Sequence, residues 1–126
     1  MRSAQSQLYF ELPDGRVLMR VFFGSEGEVI ERPTDGLERL ALVATGAKLI
    51  QIVGYTDALG DAAYNRQLGL RRASRVAQAL REKGIPGDRI VVHSRGEAQF
   101  LAGNDTASGR ALNRRVEVLI EPLRTP

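Results

Sequence analysis

Two side chains of opposite charge, Asp57 and Arg72, stand fifteen residues apart in a stretch that passes from turn-forming residues into helical periodicity. A carboxylate pairs with an ammonium group, and a planar guanidinium holds a carboxylate through two parallel hydrogen bonds. Asn65 lies seven residues before Arg72, and seven residues turn a helix through about 700°, so both side chains project to nearly the same side. Together these groups complement a zwitterion, a ligand that carries both an ammonium and a carboxylate.

Three further polar residues could reach the same cleft. Thr56 precedes Asp57 at the C-terminal end of a predicted buried strand, where ligand-binding groups commonly collect in open α/β sheets. Asn113 and Arg114 stand just before the last predicted strand. The predicted ligand-binding residues are therefore Asp57, Arg72, Asn65, Thr56, Asn113 and Arg114. The residues alone leave two other interpretations open: Asp57 is only a turn or capping residue, or it pairs with Arg72 in the absence of any ligand.

The rest of the sequence offers little for catalysis or metal binding. It contains no cysteine, and its single histidine, His93, has no neighbouring serine or acid in a triad-like motif. Neither an H-E-x-x-H pattern nor a phosphate-binding glycine loop is present. The sequence therefore predicts a protein that is not an enzyme, with no catalytic residue, no metal and no cofactor.

The charge is moderately basic. Lysine and arginine together number 18 against 15 acids, and arginines on one predicted helix could suggest a nucleic-acid partner. Aromatic residues make up only 6% of the chain, however, and none is interleaved with those arginines to form a stacking platform. Nucleic acid is therefore not expected as a partner and stays the less favoured alternative.

The length of 126 residues fits a single domain, residues 1–126, with an N-terminal hairpin extension at 1–20 and a core at 21–121. The longest apolar runs are far shorter than the roughly 20 residues of a membrane span. The N-terminus shows no signal peptide, which taken literally indicates the cytoplasm, although a piece of an exported protein would look the same.

Periodicity and turn residues predict the order hairpin, helix, strand, helix, strand, strand. The predicted elements are a hairpin at Gln7–Phe23, a helix at Thr34–Ala44, a strand at Lys48–Val53, a helix at Ala62–Lys83, a strand at Arg89–His93, an irregular segment at 97–114 with room for a helical turn, and a strand at Arg115–Ile120. This order predicts an α+β fold, a βαβαβ-type sandwich with helices packed on one face of a mixed β-sheet, plus the N-terminal β-hairpin.

Five segments resemble, in order and at compatible spacing, the motifs of the OmpA/MotB C-terminal family, whose members are also called OmpA-like or Pal-like. The family patterns are G-H-T-D, Y-N-x-x-L-S-x-x-R-A, K-G-I-P, G-E and N-R-R-V-E. The matching segments are Gly54–Asp57, Tyr64–Ala73, Lys83–Pro86, Gly96–Glu97 and Asn113–Glu117. The resemblance covers about Phe22 to Ile120, most of the chain.

This resemblance implies a domain that binds peptidoglycan non-covalently through the diaminopimelate of the stem peptide. It implies that Asp57 pairs with the ammonium, that Arg72 pairs with the carboxylate, and that Asn65 hydrogen-bonds the ligand, with Asn113 and Arg114 as further lining residues. It also implies that the domain anchors a larger membrane-anchored protein or complex to the wall, in the periplasm or cell envelope. A homodimer is left open.

Three features depart from the family pattern. Tyr55 replaces the usual histidine, and Gly69 replaces the usual serine, which should cost about 0.5–1 kcal/mol of helix stability compared with alanine. The segment Phe22–Glu28 only loosely matches the aromatic-acidic strand end of the family. These departures keep a second hypothesis open, in which the chain is a family-shaped protein-interaction module with a degraded groove.

Overall fold

The computed structural model describes residues 9–23 and 40–122, and within these ranges five strands and two helices are delimited. In chain order they are β1 (Tyr9–Glu11), β2 (Val17–Phe22), β3 (Leu49–Tyr55), α1 (Ala62–Glu82), β4 (Ile90–Gly96), α2 (Ala107–Asn113) and β5 (Arg115–Glu121). Residues 40–44 are also helical, and a short 3-10 turn, Gly87–Arg89, precedes β4. The predicted helix start at Thr34 and most of the segment Phe22–Glu28 lie outside the described residues.

The strands form one mixed sheet in the order β1-β2-β5-β3-β4. Strands β3 and β4 run parallel, as a strand–helix–strand crossover requires, whereas the other neighbours are antiparallel. Helix α1 packs against β3, β4 and β5. The predicted α+β fold, with helices on one face of a mixed sheet, is therefore confirmed.

The predicted hairpin is present as β1 and β2, joined by a turn in which Gly15 has a φ of 89°. β2 pairs with β5 along all six of its residues, and its Met19 and Val21 enter the core. The predicted boundary between an extension ending at residue 20 and a core starting at residue 21 falls inside this strand. β2 is thus an interior strand of the sheet, between β1 and β5.

Helix α1 confirms the helix predicted at Ala62–Lys83. Asp61 caps its start by accepting a hydrogen bond from the backbone N–H of Tyr64, and Gly84, with a φ of 96°, follows its end. Its apolar face contributes Ala73, Val76, Ala77 and Leu80 to the core, together with Leu68 near the pocket described below. In the described part of the chain no helix combines the length and the apolar character that crossing a bilayer demands.

Two glycines set the distance between α1 and the sheet. A Cβ on Gly54 of β3 would collide with the carbonyl oxygen of Gly69 on α1, and a Cβ on Gly69 would lie 2.5 Å from the Oγ of Ser94 on β4. The expectation that Gly69 only weakens the helix is therefore incomplete. The missing Cβ lets the helix backbone lie directly against β3 and β4, and the residues that α1 carries are brought close to the end of β3.

The irregular segment predicted at 97–114 contains a defined helix. Thr106 caps α2 by accepting a hydrogen bond from the backbone N–H of Gly109 at 3.0 Å. The segment before α2 lies close to the loop that follows β3, since Asn104 accepts a hydrogen bond from the N–H of Ala58. This segment therefore takes part in shaping the end of the sheet at which the predicted site lies.

Candidate functional site

A pocket of about 240 Å³ lies where β3 ends, bordered by α1 and by the residue that precedes β5. Its lining residues are Thr56, Asp57, Leu59, Gly60, Tyr64, Asn65, Leu68, Arg72 and Arg114. Five of the six predicted ligand-binding residues line this one pocket, and Asn113 does not. The lining carries one carboxylate and two guanidinium groups, which is the set of charges that an amino-acid-like ligand would need.

Asp57 is held in a fixed orientation although it belongs to a loop. One carboxylate oxygen accepts a hydrogen bond from the N–H of Leu59 at 3.0 Å, and the other accepts one from Nη1 of Arg114 at 3.2 Å. The residue is 6% exposed. Asp57 thus serves as a turn residue and as the acid of the pocket, and the ion pair that it forms here is with Arg114.

Arg72 forms the floor of the pocket and has no exposed surface. Its guanidinium carbon lies 5.5 Å from the ring centroid of Phe23. The pKa of Arg72 is lowered to about 10, chiefly by burial and then by the nearby charge of Arg114, while Asp57 partly opposes both effects. The charged form is therefore electrostatically disfavoured in this setting, and a negative group that entered the pocket would stabilise it.

Asn65 ties α1 to the loop that carries the acid. Its side-chain nitrogen donates to the carbonyl oxygen of Leu59 at 2.8 Å and to Oε2 of Glu97 at 3.3 Å. Within residues 9–23 and 40–122 no group donates to its Oδ1 atom. Because the capping role at this helix start belongs to Asp61, the amide of Asn65 remains a polar group of the pocket wall with one acceptor available.

Thr56 and Asn113 make mainly internal contacts. The Oγ1 of Thr56 donates to the carbonyl oxygen of Asp57 at 3.0 Å, although the residue does line the pocket. Asn113 is completely buried, and its side-chain oxygen accepts from the N–H groups of Leu101 and Ala102. Its side-chain nitrogen donates to a backbone oxygen and to a neighbouring amide. The geometry thus gives Asn113 contacts to the loop before α2 in place of contacts to the pocket.

The charged residues of the pocket were predicted from the sequence, whereas its remaining lining residues, mostly apolar, were not. Leu59, Gly60, Tyr64 and Leu68 also line the pocket. Leu68 lies three residues after Asn65 and four before Arg72, so helical spacing alone could have assigned it to the same wall. Leu59 sits in an irregular loop, and no periodic pattern marks it as a lining residue.

Arg115, the neighbour of Arg114, belongs to a different cluster behind the pocket. Its Nε lies 2.9 Å from Oε2 of Glu117, its Nη2 donates to the carbonyl oxygen of Gln99 at 2.8 Å, and its guanidinium carbon is 3.9 Å from the ring centroid of Tyr55. Glu117 also pairs with Arg20 at 3.2 Å. This cluster does not line the pocket, and its contacts join β2, β5 and the loop before α2.

In the ranges 9–23 and 40–122, no group of three or more histidine, cysteine or acidic residues is arranged to hold a metal ion. The side chains that line the pocket carry a carboxylate, two guanidinium groups, an amide and two hydroxyls. Such a set can form charge-assisted hydrogen bonds with a small zwitterion.

Comparison with known sequences places the chain in a family. Residues 22–114 match the model of the OmpA family. The chain is 44% identical over 109 residues to outer membrane porin F of Pseudomonas fluorescens, an alignment that covers 84% of this chain and 33% of that protein. It is 37% identical over 103 residues to the peptidoglycan-binding protein ArfA of Mycobacterium bovis, covering 79% and 32% respectively. The chain spans about half or less of the length of the curated relatives that it matches.

Solved structures show the same fold. The peptidoglycan-associated lipoprotein of Burkholderia pseudomallei superposes with a TM-score of 0.76 at 26% identity, covering 81% of this chain and 89% of that one. The cell wall anchor of the T6SS from Pseudomonas aeruginosa superposes with a TM-score of 0.71 at 25% identity, covering 86% and 82%. The family match, the sequence relatives and the shared fold agree with the resemblance found in the motifs, and the chain belongs to the OmpA family.

Proposed function

We propose that the pocket binds peptidoglycan non-covalently through the diaminopimelate of the stem peptide. In this proposal the domain anchors a larger protein of the cell envelope to the wall. The observation that carries the proposal is the set of charges in one small pocket, where Asp57 lies beside Arg72 and Arg114. Relatives named for peptidoglycan binding or wall anchoring support it, as do relatives named as outer membrane proteins, which favour the periplasmic side of the envelope.

The ammonium of the ligand would bind to Asp57. In the structure one oxygen of this carboxylate faces Arg114, whose side chain is 14% exposed. An incoming ammonium would therefore share or replace that cation, and the guanidinium of Arg114 would turn towards the carboxylate of the ligand. Because one cation takes the place of another, the carboxylate of Asp57 stays neutralised throughout the exchange.

The carboxylate of the ligand would be drawn towards the floor of the pocket. The buried guanidinium of Arg72 has a lowered pKa because desolvation disfavours its charge, so a nearby anion lowers the electrostatic cost of keeping it charged. Oδ1 of Asn65 can accept a hydrogen bond from a donor group of the ligand, such as its ammonium. The side chains of Leu59 and Leu68 supply apolar surface for the aliphatic chain between the two ends of the ligand.

Binding of this kind breaks no covalent bond, and a modest affinity per site is expected. Each charge-assisted hydrogen bond contributes about 1.5–3 kcal/mol, part of which is offset by desolvation and by ordering of the ligand. An insoluble wall presents many copies of the same stem peptide. Several anchors on one assembly would therefore hold the wall more strongly than a single domain does.

Sedimentation with insoluble peptidoglycan tests the proposal through paired substitutions. Asp57→Asn and Arg72→Met each remove one charge of the pocket while nearly keeping the size of the side chain. Asp88→Asn and Arg75→Met make the same chemical changes at exposed positions outside the pocket. Thermal unfolding of all four variants would show which of them retain the parent fold.

We expect the two pocket variants to lose at least about tenfold in apparent affinity for the wall, since each loses one charge-assisted contact. The two control variants should sediment as the parent protein does. If Asp57→Asn and Arg72→Met are folded and still sediment as well as their controls, the pocket is not where peptidoglycan binds.

A further inference from the structure

The loop of residues 56–61 carries the acid of the pocket but has no regular secondary structure. Its central residues 58–60 are exposed to solvent. An exposed loop of this kind is usually the most mobile part of a site, whereas a carboxylate that recognises an ammonium must keep its direction. Contacts from elsewhere in the fold are therefore needed to fix Asp57.

The peptide unit that joins Asp57 to Ala58 is held at both of its ends by side chains. Its carbonyl oxygen accepts a hydrogen bond from Oγ1 of Thr56 at 3.0 Å. Its N–H group donates to Oδ1 of Asn104 at 3.1 Å, across a separation of 46 residues. With both ends fixed, this peptide plane cannot rotate without breaking a hydrogen bond.

Asn104 is itself fixed by α2. Its Oδ1 also accepts a hydrogen bond from the side-chain nitrogen of Asn113 at 3.0 Å, and its backbone oxygen accepts one from Nη1 of Arg110 at 2.9 Å. The contact with Ala58 fixes which way the side-chain amide of Asn104 points. Because the N–H of Ala58 can only donate, it must face the oxygen of that amide. The side chains of Asn113 and Asn104 thus form a relay from α2 to the loop of the pocket.

We infer that Asn104 is a positioning residue for the pocket, a role that rests on the proposed function. Its side-chain oxygen fixes the peptide plane after Asp57 and, through it, the direction of the carboxylate. Asn104 does not line the pocket, so it acts without touching the ligand. Asn113, which the sequence suggested as a ligand contact, serves the same purpose one step further away.

A matched pair of substitutions separates positioning from general stability. Asn104→Ala removes the oxygen that Ala58 needs, whereas Asn104→Asp keeps oxygens that can accept from both Ala58 and Asn113. Asp105→Ala changes the exposed neighbouring residue and is the control. Two quantities are measured for each variant: the affinity for diaminopimelate by calorimetry, and the hydrogen-exchange rate of the Ala58 amide in the ligand-free protein.

We expect Asn104→Ala to weaken binding about tenfold and to speed exchange at Ala58 by a similar factor, because the hydrogen bond that holds the N–H of Ala58 is lost. Asn104→Asp should stay within about threefold of the parent protein in both measurements. Unchanged exchange at Ala58 in Asn104→Ala would overturn the inference, and so would faster exchange with full affinity. Failure of the parent protein to bind diaminopimelate would instead overturn the proposed function on which the inference rests.

Discussion

Two buried arginines at the same end of the sheet have opposite surroundings. Arg115 is 2% exposed and gives its hydrogen bonds to the carboxylate of Glu117 and to the carbonyl oxygen of Gln99. Arg72 is equally buried, but it lines a pocket and lies near a second cation, Arg114, which contributes to the lowering of its pKa. Burial by itself therefore does not tell a structural cation from a ligand-binding one.

The two arginines differ in whether they line the pocket. Glu117 supplies a carboxylate to Arg115 within the fold, and the ring of Tyr55 lies 3.9 Å from the guanidinium. Around the pocket, a single lining carboxylate faces two lining guanidinium groups among the described residues. Arg115 is thus joined to the fold by contacts away from the pocket, whereas Arg72 lines the pocket, where a ligand carboxylate can contact it.

The largest expected effect is a difference in unfolding free energy between variants of these two arginines. Arg115→Met should lower the free energy of unfolding by about 3 kcal/mol, because the carbonyl oxygen of Gln99 loses a donor and Glu117 loses one of its two arginine partners. Arg72→Met should cost less than Arg115→Met, because it also removes a charge that burial disfavours. Urea unfolding of both variants measures this. Equal losses would show that the two cations contribute alike to the fold.

A change at the helix–strand contact should affect the pocket more than the Arg115 cluster. Gly54→Ala places a methyl group against the backbone of Gly69, and we expect a loss of about 2 kcal/mol in unfolding free energy. In the folded fraction, α1 should move away from β3 and weaken binding. Gly46→Ala serves as the control for adding a methyl group, since its strain is confined to a turn with a φ of 76°. A Gly54→Ala variant as stable as the parent would show that the close approach is not needed.

A smaller effect is expected at the tyrosine that replaces the family histidine. Tyr55→Phe removes a hydroxyl that donates to Oε1 of Gln99 at 3.2 Å but keeps the ring beside Arg115. The free energy of unfolding should fall by about 0.5–1 kcal/mol, as for one hydrogen bond. Affinity for diaminopimelate should be unchanged, since Tyr55 does not line the pocket. A loss of affinity without a loss of stability would place Tyr55 in the site instead.

Much of the fold followed from the sequence because its elements are strongly patterned. Helix α1 has an apolar stripe, a capping Asp61 and a terminating Gly84, so its bounds were predicted almost to the residue. Helix α2 was foreseen only as room for a helical turn within residues 97–114, because its seven residues are too few for a periodic signal and its start depends on the cap by Thr106. Local patterns cannot show that β2 is an interior strand of the sheet, since pairing with β5 joins distant parts of the chain.

The site was predictable in its charges but not in its contacts. The motif N-R-R places two arginines side by side, and alternation along the strand sends Arg114 to the pocket and Arg115 to the Glu117 cluster. The sequence could not show that Asp57 pairs with Arg114, because that contact joins residues far apart in the chain. For the same reason it could not show that Asn113 is taken up by the loop before α2.

Amide NMR shifts during a titration with diaminopimelate test the central claim most directly. If the pocket around Asp57 and Arg72 is the binding site, shifts should concentrate in residues 56–60, in the part of α1 that lines the pocket and at Arg114. The amides of Arg115, Glu117 and Gln99 should move little. Shifts centred on the Arg115 cluster, or no shifts at saturating ligand, would contradict the account.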